Sequence, residues 1–324
     1  MRSFPPPLAG QAPTPRILPY SLVVGQEALK LALEVSYVAP QVGGVLASGE
    51  RGTAKSTVVR SFAMMMSGRL PVTLPINTTD DRLLGGWQID ALMRAEAKPY
   101  PGLLEQASAQ AGGMLYVDEV NLLDDHLVNL ILDVSSTGVL TVQREGLDVQ
   151  KEVRFQLVGT MNPEEGGLRP QLLDRFGLMV TVPGDPTPDV RRRVLETVLR
   201  FEDETERGIS TWLDAARATD ERRRDELTEA RQRFHDVGLA MDLVKLCARL
   251  AGALRVVGHR GELVLAKAAG GLAAIRQLAE VSVAEIRDLA PMAFAHRRPT
   301  RDGLHDGRWT EEDEHLLADL IGKG

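Results

Sequence analysis

The residues with the clearest chemical potential form one short segment that fits the pattern G-x-x-x-x-[GA]-K-[ST]. Its members, in order, are Gly49, Glu50, Arg51, Gly52, Thr53, Ala54, Lys55 and Ser56. The glycines let the backbone wrap a phosphate, a helix that follows supplies N–H donors, the lysine reaches the β- and γ-phosphates, and the serine hydroxyl can ligate magnesium. The segment therefore predicts a site for ATP and Mg²⁺ that extends to Thr57.

The context of this segment decides between two interpretations. A glycine-containing turn that happens to end in Lys-Ser would show the same letters, and Ala54 stands where glycine is usual. However, an apolar run precedes the segment and a helical stretch, residues 57–66, follows it. A strand, a loop and a helix in this order favour the phosphate-binding loop.

Two adjacent carboxylates follow a second apolar run. Residues 114–117 are Met-Leu-Tyr-Val, and Asp118 and Glu119 come next. Because successive side chains of a strand point to opposite faces, the two carboxylates have different surroundings. We expect Asp118 to hold the magnesium, directly or through water, and Glu119 to polarise the attacking water. An acidic pair after a strand is by itself more often a turn or a helix cap, but its position after a phosphate loop favours the catalytic interpretation.

Three further polar residues could complete the site, and each has a plain structural alternative. Asn162 ends an apolar run where a sensor of the γ-phosphate or the lytic water would lie, or it is a turn former before Pro163. Arg175 could pair with Asp174, or it could be a finger inserted into the next subunit's nucleotide, which we favour because hydrolysis needs a positive group at the transition state. Arg260 could be an exposed arginine, or it could read the γ-phosphate from a lid that folds back over the nucleotide.

The elements that must position these residues follow an α/β pattern. Short apolar runs alternate with helical stretches between residues 22 and 182, which is typical of a parallel sheet covered by helices. The expected buried strands are 44–47, 72–76, 114–117, 155–159 and 178–182. We divide the chain into a proline-rich tail (1–20), an α/β nucleotide-binding domain (21–185), a charged helical linker (186–234), a small helical lid domain (235–300) and a charged C-terminal tail (301–324).

Composition limits the setting and the partners. The chain of 324 residues is long enough for a large core and a second, smaller domain. Its formal charge of −7 argues against nucleic acid or an anionic membrane as the main partner. A single cysteine, Cys247, and the lack of a signal-peptide-like start or a transmembrane run indicate a cytoplasmic protein with no membrane span. The histidines lack metal-like spacing, so we expect no metal other than magnesium.

Several longer stretches resemble the ATPase (I) subunit of magnesium chelatase. The similarity is carried by residues 24–27, 80–85, 101–104, 113–126, 144–146, 159–177, 258–260 and 295–298. It covers roughly residues 17–300, and so many ordered matches are far more specific than a single motif.

The resemblance implies an AAA+ protein with a five-stranded parallel sheet and a C-terminal helical lid. Such proteins form ATP-dependent rings, usually hexamers. They act with a partner that carries an integrin-type (VWA) metal-binding domain and drive a large catalytic subunit that inserts magnesium into protoporphyrin. In the family pattern Arg175 matches the intersubunit finger and Arg260 the second sensor, and residues 139–153 match a hairpin before the first sensor. The residues that match the nucleotide site are Lys55, Ser56, Asp118, Glu119 and Asn162.

Two departures from the family pattern keep an alternative open. Ala54 replaces the last glycine of the loop, as in the related MoxR-type ATPases, and residues 150–153 read Gln-Lys-Glu-Val where a His-Pro-Ala step is usual. A MoxR-like chaperone for another client is therefore the second hypothesis. A nucleic-acid motor is disfavoured because acidic residues balance the basic ones around the hairpin: Arg144, Lys151 and Arg154 against Glu145, Asp148 and Glu152.

Overall fold

A computed structural model describes residues 16–87, 99–109, 112–144, 147–183, 187–299 and 308–322. Most of the proline-rich tail and the start of the charged C-terminal tail lie outside these ranges, as does Glu145 of the hairpin. Within the described ranges, no helix is both long enough and apolar enough to cross a bilayer.

Five parallel strands form the central sheet, as the sequence and the family resemblance indicated. The strands are β1 (Val45–Ser48), β2 (Val72–Leu74), β5 (Met114–Val117), β8 (Gln156–Met161) and β9 (Leu178–Thr181). Their spatial order is β2-β5-β8-β1-β9, and every pairing is parallel. β2 ends before the expected residue 76 because Pro75 has no N–H to continue the ladder. β8 reaches beyond the expected residue 159, because Met161 still pairs with Ser48.

Two antiparallel strand pairs form separate two-stranded sheets. β3 (Gly85–Trp87) pairs with β4 (Pro99–Pro101), and β6 (Val139–Arg144) pairs with β7 (Leu147–Glu152). The second pair coincides with the hairpin that the resemblance implied at residues 139–153.

Both faces of the sheet are covered. Alternate residues of the strands enter two separate hydrophobic clusters: Tyr116 and Val158 belong to one, and Leu115 and Leu157 to the other. The helices associated with the sheet are α1 (Glu27–Val38), α2 (Lys55–Ser67), α3 (Asp80–Leu84), α4 (Leu103–Ser108), α5 (Asp125–Thr137) and α6 (Pro170–Leu173). The cluster of Tyr116 is continuous with the helices that follow the sheet, so these two parts share one core.

After the sheet, helices are the only extended regular elements among the described residues, apart from one isolated bridge. The helices are α7 (Pro188–Arg207), α8 (Thr211–Arg233), α9 (Met241–Ala253), α10 (Arg260–Ile275), α11 (Val283–Phe294) and α12 (Glu311–Gly322). α7 buries no residue, and its Leu195 and Leu199 are exposed. By contrast α8 buries an apolar stripe, and its Asp220 accepts hydrogen bonds from the backbone of Tyr20 and Ser21. α12 packs on α9.

Candidate nucleotide-binding site

The glycine-rich loop lies between β1 and α2, at the carboxyl edge of the sheet. The Gly49 N–H donates to the carbonyl of Met161 on β8, and a Cβ at Gly49 would lie 2.5 Å from the carbonyl oxygen of Val182. Only glycine allows this approach. Ala54 directly precedes α2 in a left-handed conformation with φ of 61°, which is why glycine is the usual residue at this position.

Lys55 folds back over the loop. Its Nζ donates to the carbonyl oxygens of Gly49 and Glu50, at 2.7 and 2.6 Å, and to the hydroxyl of Thr53. Partial burial lowers the pKa of Lys55, and the nearby carboxylates of Asp118 and Glu119 oppose this effect. The ammonium is thus held at the mouth of a loop whose following helix begins at Lys55, with Ser56 and Thr57 in its first turn. Backbone donors, an ammonium and a helix N-terminus form an arrangement that fits nucleotide phosphates.

Four hydroxyl and carboxylate groups connect the loop to the neighbouring strands. The Tyr116 hydroxyl on β5 forms hydrogen bonds with Ser56 Oγ at 2.9 Å and Asp118 Oδ1 at 2.8 Å. The Thr160 hydroxyl on β8 donates to the same Asp118 oxygen at 2.6 Å. Burial raises the pKa of Tyr116 to about 12, so its hydroxyl keeps its proton near neutral pH. Ser56 and Asp118, the two expected magnesium ligands, are therefore joined by a protein hydrogen-bond network.

Glu119 occupies a second left-handed position, with φ of 53°. Its N–H donates to the hydroxyl of Thr160 at 3.1 Å, which helps to hold this unusual backbone. Its carboxylate lies 3.5 Å from the guanidinium of Arg51, which also pairs with Glu165. Arg51 of the phosphate loop thus contacts the carboxylate that we expect to activate water.

Asn162 is buried where β8 ends, between the strands that carry Asp118 and the phosphate loop. Its side-chain oxygen accepts from the N–H of Glu164 at 3.2 Å. This contact fixes the direction of the amide and leaves its nitrogen as the donor end. The structure therefore brings Lys55, Ser56, Asp118 and Asn162 to one edge of the sheet, together with Glu119.

The two arginines predicted in the sequence lie together at the opposite edge. Arg175 precedes β9, whereas the phosphate loop follows β1, and these strands run in parallel register. The guanidinium of Arg175 pairs with Asp133 of α5, not with Asp174. Arg260 does not fold over the phosphate loop of its own chain, because its Nη2 donates to the backbone carbonyl of Arg175 at 2.9 Å.

Sequence reasoning missed Tyr116 and Thr160, and it found Arg51 only as a loop residue. A signal for the first two was available. Both are polar residues within apolar strands, and buried polar groups are normally retained only with partners. The contact between Arg51 and Glu119 had no sequence signal, because it depends on how two loops approach each other.

Comparisons with known proteins identify the family. A model of the AAA domain (dynein-related subfamily) matches residues 44–176, and a model of the AAA lid domain matches residues 244–319. The chain is 39% identical to the magnesium-chelatase 38 kDa subunit of Rhodobacter capsulatus, with 97% of both chains covered. It is 41% identical to an uncharacterized protein of Mycobacterium tuberculosis over 89% of this chain, but it spans only 46% of that longer protein.

The fold itself is shared with a solved structure. A putative ATPase from Cytophaga hutchinsonii gives a TM-score of 0.68 at 16% identity, covering 94% of this chain and 91% of that one. Both domain matches occur in order along the chain, and the similarity to the chelatase subunit runs along 97% of both proteins. The protein therefore belongs to the family of magnesium-chelatase ATPase (I) subunits, and it is an AAA-type ATPase.

Proposed function

We propose that the protein is the ATP-driven motor subunit of a metal-inserting chelatase, and that it works as a ring in which each nucleotide lies between two subunits. One observation carries the ring part of the proposal. The groups suited to phosphate, magnesium and water lie at the carboxyl edge of the sheet, and Arg175 and Arg260 lie at the amino edge.

Within one subunit, each residue at the carboxyl edge has a separate task. Lys55 binds the β- and γ-phosphates, while Ser56 and Asp118 hold Mg²⁺, whose chemistry when bound is to neutralise the charge that develops on the phosphates. Glu119 orients the attacking water, and the amide of Asn162 senses the γ-phosphate or that water. The fit is supported by the network that already joins Ser56 and Asp118 through Tyr116.

The positive charge for the transition state comes from the neighbouring subunit. Four residues of parallel strand span about 13 Å, so Arg175 cannot reach the phosphate loop of its own chain. Arg260 is bonded to the carbonyl of Arg175, and both arginines would therefore approach the same neighbouring nucleotide. A guanidinium suits this role because it stays charged and can bind phosphate oxygens with two donors.

Replacement of Arg175 by alanine tests this arrangement. Arg175→Ala should lower the turnover number at saturating ATP by about 10³-fold, lower the ATP affinity of assembled rings by no more than about tenfold, and leave the ATP affinity of separated subunits unchanged. Arg154→Ala, which removes an exposed arginine paired only with Glu152 among the described contacts, is the matched control. A parallel loss of ATP binding in Arg175→Ala would contradict a role in trans.

The chelatase assignment rests on the likeness to the magnesium-chelatase 38 kDa subunit over 97% of both chains. The protein would form rings of six and act with a VWA-domain partner and a large catalytic subunit on a tetrapyrrole. Mixing it with such subunits, Mg²⁺, ATP and protoporphyrin should produce metalloporphyrin absorbance, and Lys55→Ala should not. No absorbance with an ATPase-active preparation would reject the assignment.

A MoxR-like chaperone with a VWA partner remains the second candidate, because Ala54 occupies the left-handed position without glycine. Glu119→Gln should hydrolyse ATP too slowly to release its client, so proteins that co-purify with this variant identify the client. Recovery of a large chelatase subunit supports the first proposal. Recovery of an unrelated enzyme together with a VWA protein supports the second.

A further inference from the structure

Arg297 is a buried charged residue that the proposed reaction does not use. It belongs to the 3-10 turn that follows α11 in the lid, and its side chain is 0% exposed. Burial lowers its pKa to about 10, and the nearby carboxylate of Asp174 opposes this effect, so it remains charged near neutral pH. Removing a charge from water is costly, and the compensating contacts show what this residue holds in place.

The guanidinium of Arg297 is directed at the loop that carries Arg175. Its Nε donates to Asp174 Oδ1 at 3.0 Å, its Nη1 to the carbonyl of Gly177 at 3.0 Å, and its Nη2 to the carbonyl of Asp174 at 2.9 Å. Nη2 also donates to the carbonyl of Phe176, and Nη1 to that of Ala293 in α11. These contacts link α11 to residues on both sides of Arg175.

The lid contacts every carbonyl of this loop. Arg297 bonds to the carbonyls of residues 174, 176 and 177, Arg260 bonds to that of Arg175, and His296 Nε2 lies 3.3 Å from that of Phe176. Four consecutive carbonyls are thus held by side chains from one other part of the chain. A loop without regular structure gains a fixed position in this way, because each backbone carbonyl that loses its contact with water on folding needs a hydrogen-bond donor from the protein.

We propose that Arg297 is a positioning residue, which fixes the loop around Arg175 so that this arginine can act on the nucleotide of the next subunit. The inference rests on the proposed role of Arg175 in trans. Placement errors of about 1 Å can lower rates by about 100-fold. A poorly held loop around Arg175 would therefore impair hydrolysis at the neighbouring nucleotide, while the phosphate loop of the same subunit would stay intact. The same contacts would transmit a movement of the lid to the finger.

Arg297→Lys tests the inference, because it keeps the charge but cannot reproduce the forked set of donors. We expect its turnover number to fall by about tenfold or more, with ATP affinity changed less than about threefold. Asp174→Asn is the second variant, for the case in which Arg297→Lys folds poorly. It removes only the charge of the partner of Arg297, and it should likewise lower the turnover number with a smaller change in ATP affinity. The adjacent Arg298→Ala, which removes an ion pair with Asp313 of α12, is the matched control and should retain turnover.

Mixed rings separate positioning from a general loss of structure. An Arg297→Lys subunit keeps its own phosphate loop, and a Glu119→Gln subunit keeps its own finger. Mixing the two impaired variants should therefore raise turnover to about a quarter of that of unmodified rings, because in a random ring about a quarter of the sites combine an intact phosphate loop with a correctly held Arg175. A mixture whose turnover does not exceed the average of the two separate variants, or a loss of ATP affinity as large as the loss of turnover, would overturn the proposal.

A second mixture tells a failure of this inference from a failure of the proposed function. Arg175→Ala mixed with Glu119→Gln should regain activity for the same reason. If this control mixture recovers but that with Arg297→Lys does not, only the positioning role is wrong. If the control mixture does not recover, Arg175 does not act in trans and the positioning role falls with it.

Discussion

Ala54 has a backbone conformation that favours glycine, and this conflict is local to one residue. A residue with a side chain in the left-handed region destabilises the folded protein by about 1–2 kcal/mol. Glycine avoids this cost, but its greater conformational freedom in the unfolded chain lowers stability by about 0.4–1 kcal/mol. Ala54→Gly should therefore raise the free energy of unfolding by about 0.5–1 kcal/mol, measured by chemical denaturation, and keep ATP hydrolysis. Gly52→Ala, at φ of 77°, is the reverse control and should destabilise. A lower stability of Ala54→Gly would contradict this explanation.

The hydroxyl of Tyr116 is the second feature that depends on a single residue. It bonds to both expected magnesium ligands, so its removal should leave Ser56 and Asp118 less well placed for the ion. We expect Tyr116→Phe to raise the magnesium concentration needed for half-maximal ATPase activity by about threefold to tenfold, as one or two hydrogen bonds are lost. Tyr100→Phe, which loses a hydroxyl bond to Asp81, is the control. An unchanged magnesium requirement would mean that the network does not orient the ligands.

At the same scale, residue types indicated most of the candidate nucleotide site but not the hydrogen bonds that connect its residues. The order of Lys55, Asp118 and Asn162 along the chain was enough to place them at one edge, because parallel strands bring their carboxyl ends together. The partner of Arg175 was not evident, since Asp133 lies on α5 and Asp174, its sequence neighbour, pairs instead with Arg297. A prediction from sequence pairs an arginine with the adjacent carboxylate, whereas the folded backbone determines which carboxylate the side chain contacts.

Among the elements, α11 of the lid begins with a capping box. Ser282 accepts from the N–H of Ala284, and its own N–H and hydroxyl donate to Glu285, which also pairs with Arg276. Burial alone would raise the pKa of Glu285, but the hydrogen bonds from Ser282 and Arg276 outweigh burial and lower it. These contacts fix the start of the helix whose other end leads to Arg297.

The lowered pKa of Glu285 predicts a stability that depends on pH. Because the folded protein holds this carboxylate ionised to a lower pH than the unfolded chain does, the stabilisation is complete near neutral pH and is lost as the pH falls below about 4. Glu285→Gln should therefore cost about 1–3 kcal/mol of unfolding free energy near neutral pH and much less at about pH 3. Thermal or chemical unfolding at both pH values measures the difference. Glu311→Gln, in the first turn of α12, is the control, and a pH-independent cost for Glu285→Gln would reject the argument.

Periodicity predicted most elements, and chain chemistry explains where it failed. Short continuous apolar runs such as residues 114–117 made the five strands recognisable, because strands buried on both faces carry apolar residues throughout. The end of β2 depended on Pro75, and the length of β8 depended on pairing with β1. The buried stripe of α8 was hidden by its many charges, because the apolar residues that it buries, such as Leu213 and Ala216, are few.

At the scale of the whole molecule, the sequence predicted two domains but not how they meet. The contacts of Arg260 and Arg297 with residues 174–177 join positions far apart along the chain. A hydrophobic pattern shows that a helix has a buried face, but it does not show which surface covers that face. The sequence indicated a lid arginine that reads the γ-phosphate, but not which subunit's nucleotide it faces. In the structure Arg260 bonds to the carbonyl of Arg175, at the edge of the sheet opposite the phosphate loop.

A nucleotide that lies between subunits must couple ATP binding to ring assembly. If ATP strengthens the association of two subunits by a given factor, association strengthens the binding of ATP by the same factor. In a Glu119→Gln background, which prevents turnover, ATP should therefore bind about tenfold more tightly at protein concentrations where rings form than at concentrations where subunits are separate. Nucleotide titration at both concentrations, with assembly followed by sedimentation, measures this factor.

Arg175, at the amino edge of the sheet, provides the control for this coupling. Adding Arg175→Ala to Glu119→Gln removes a contact that only the neighbour can make, so the dependence of ATP affinity on protein concentration should shrink. The affinity of the separated subunits should not change, because Lys55, Ser56 and Asp118 stay intact. Equal ATP affinities at both concentrations in Glu119→Gln, with rings present at the higher one, would place the whole site within one subunit and contradict the composite site.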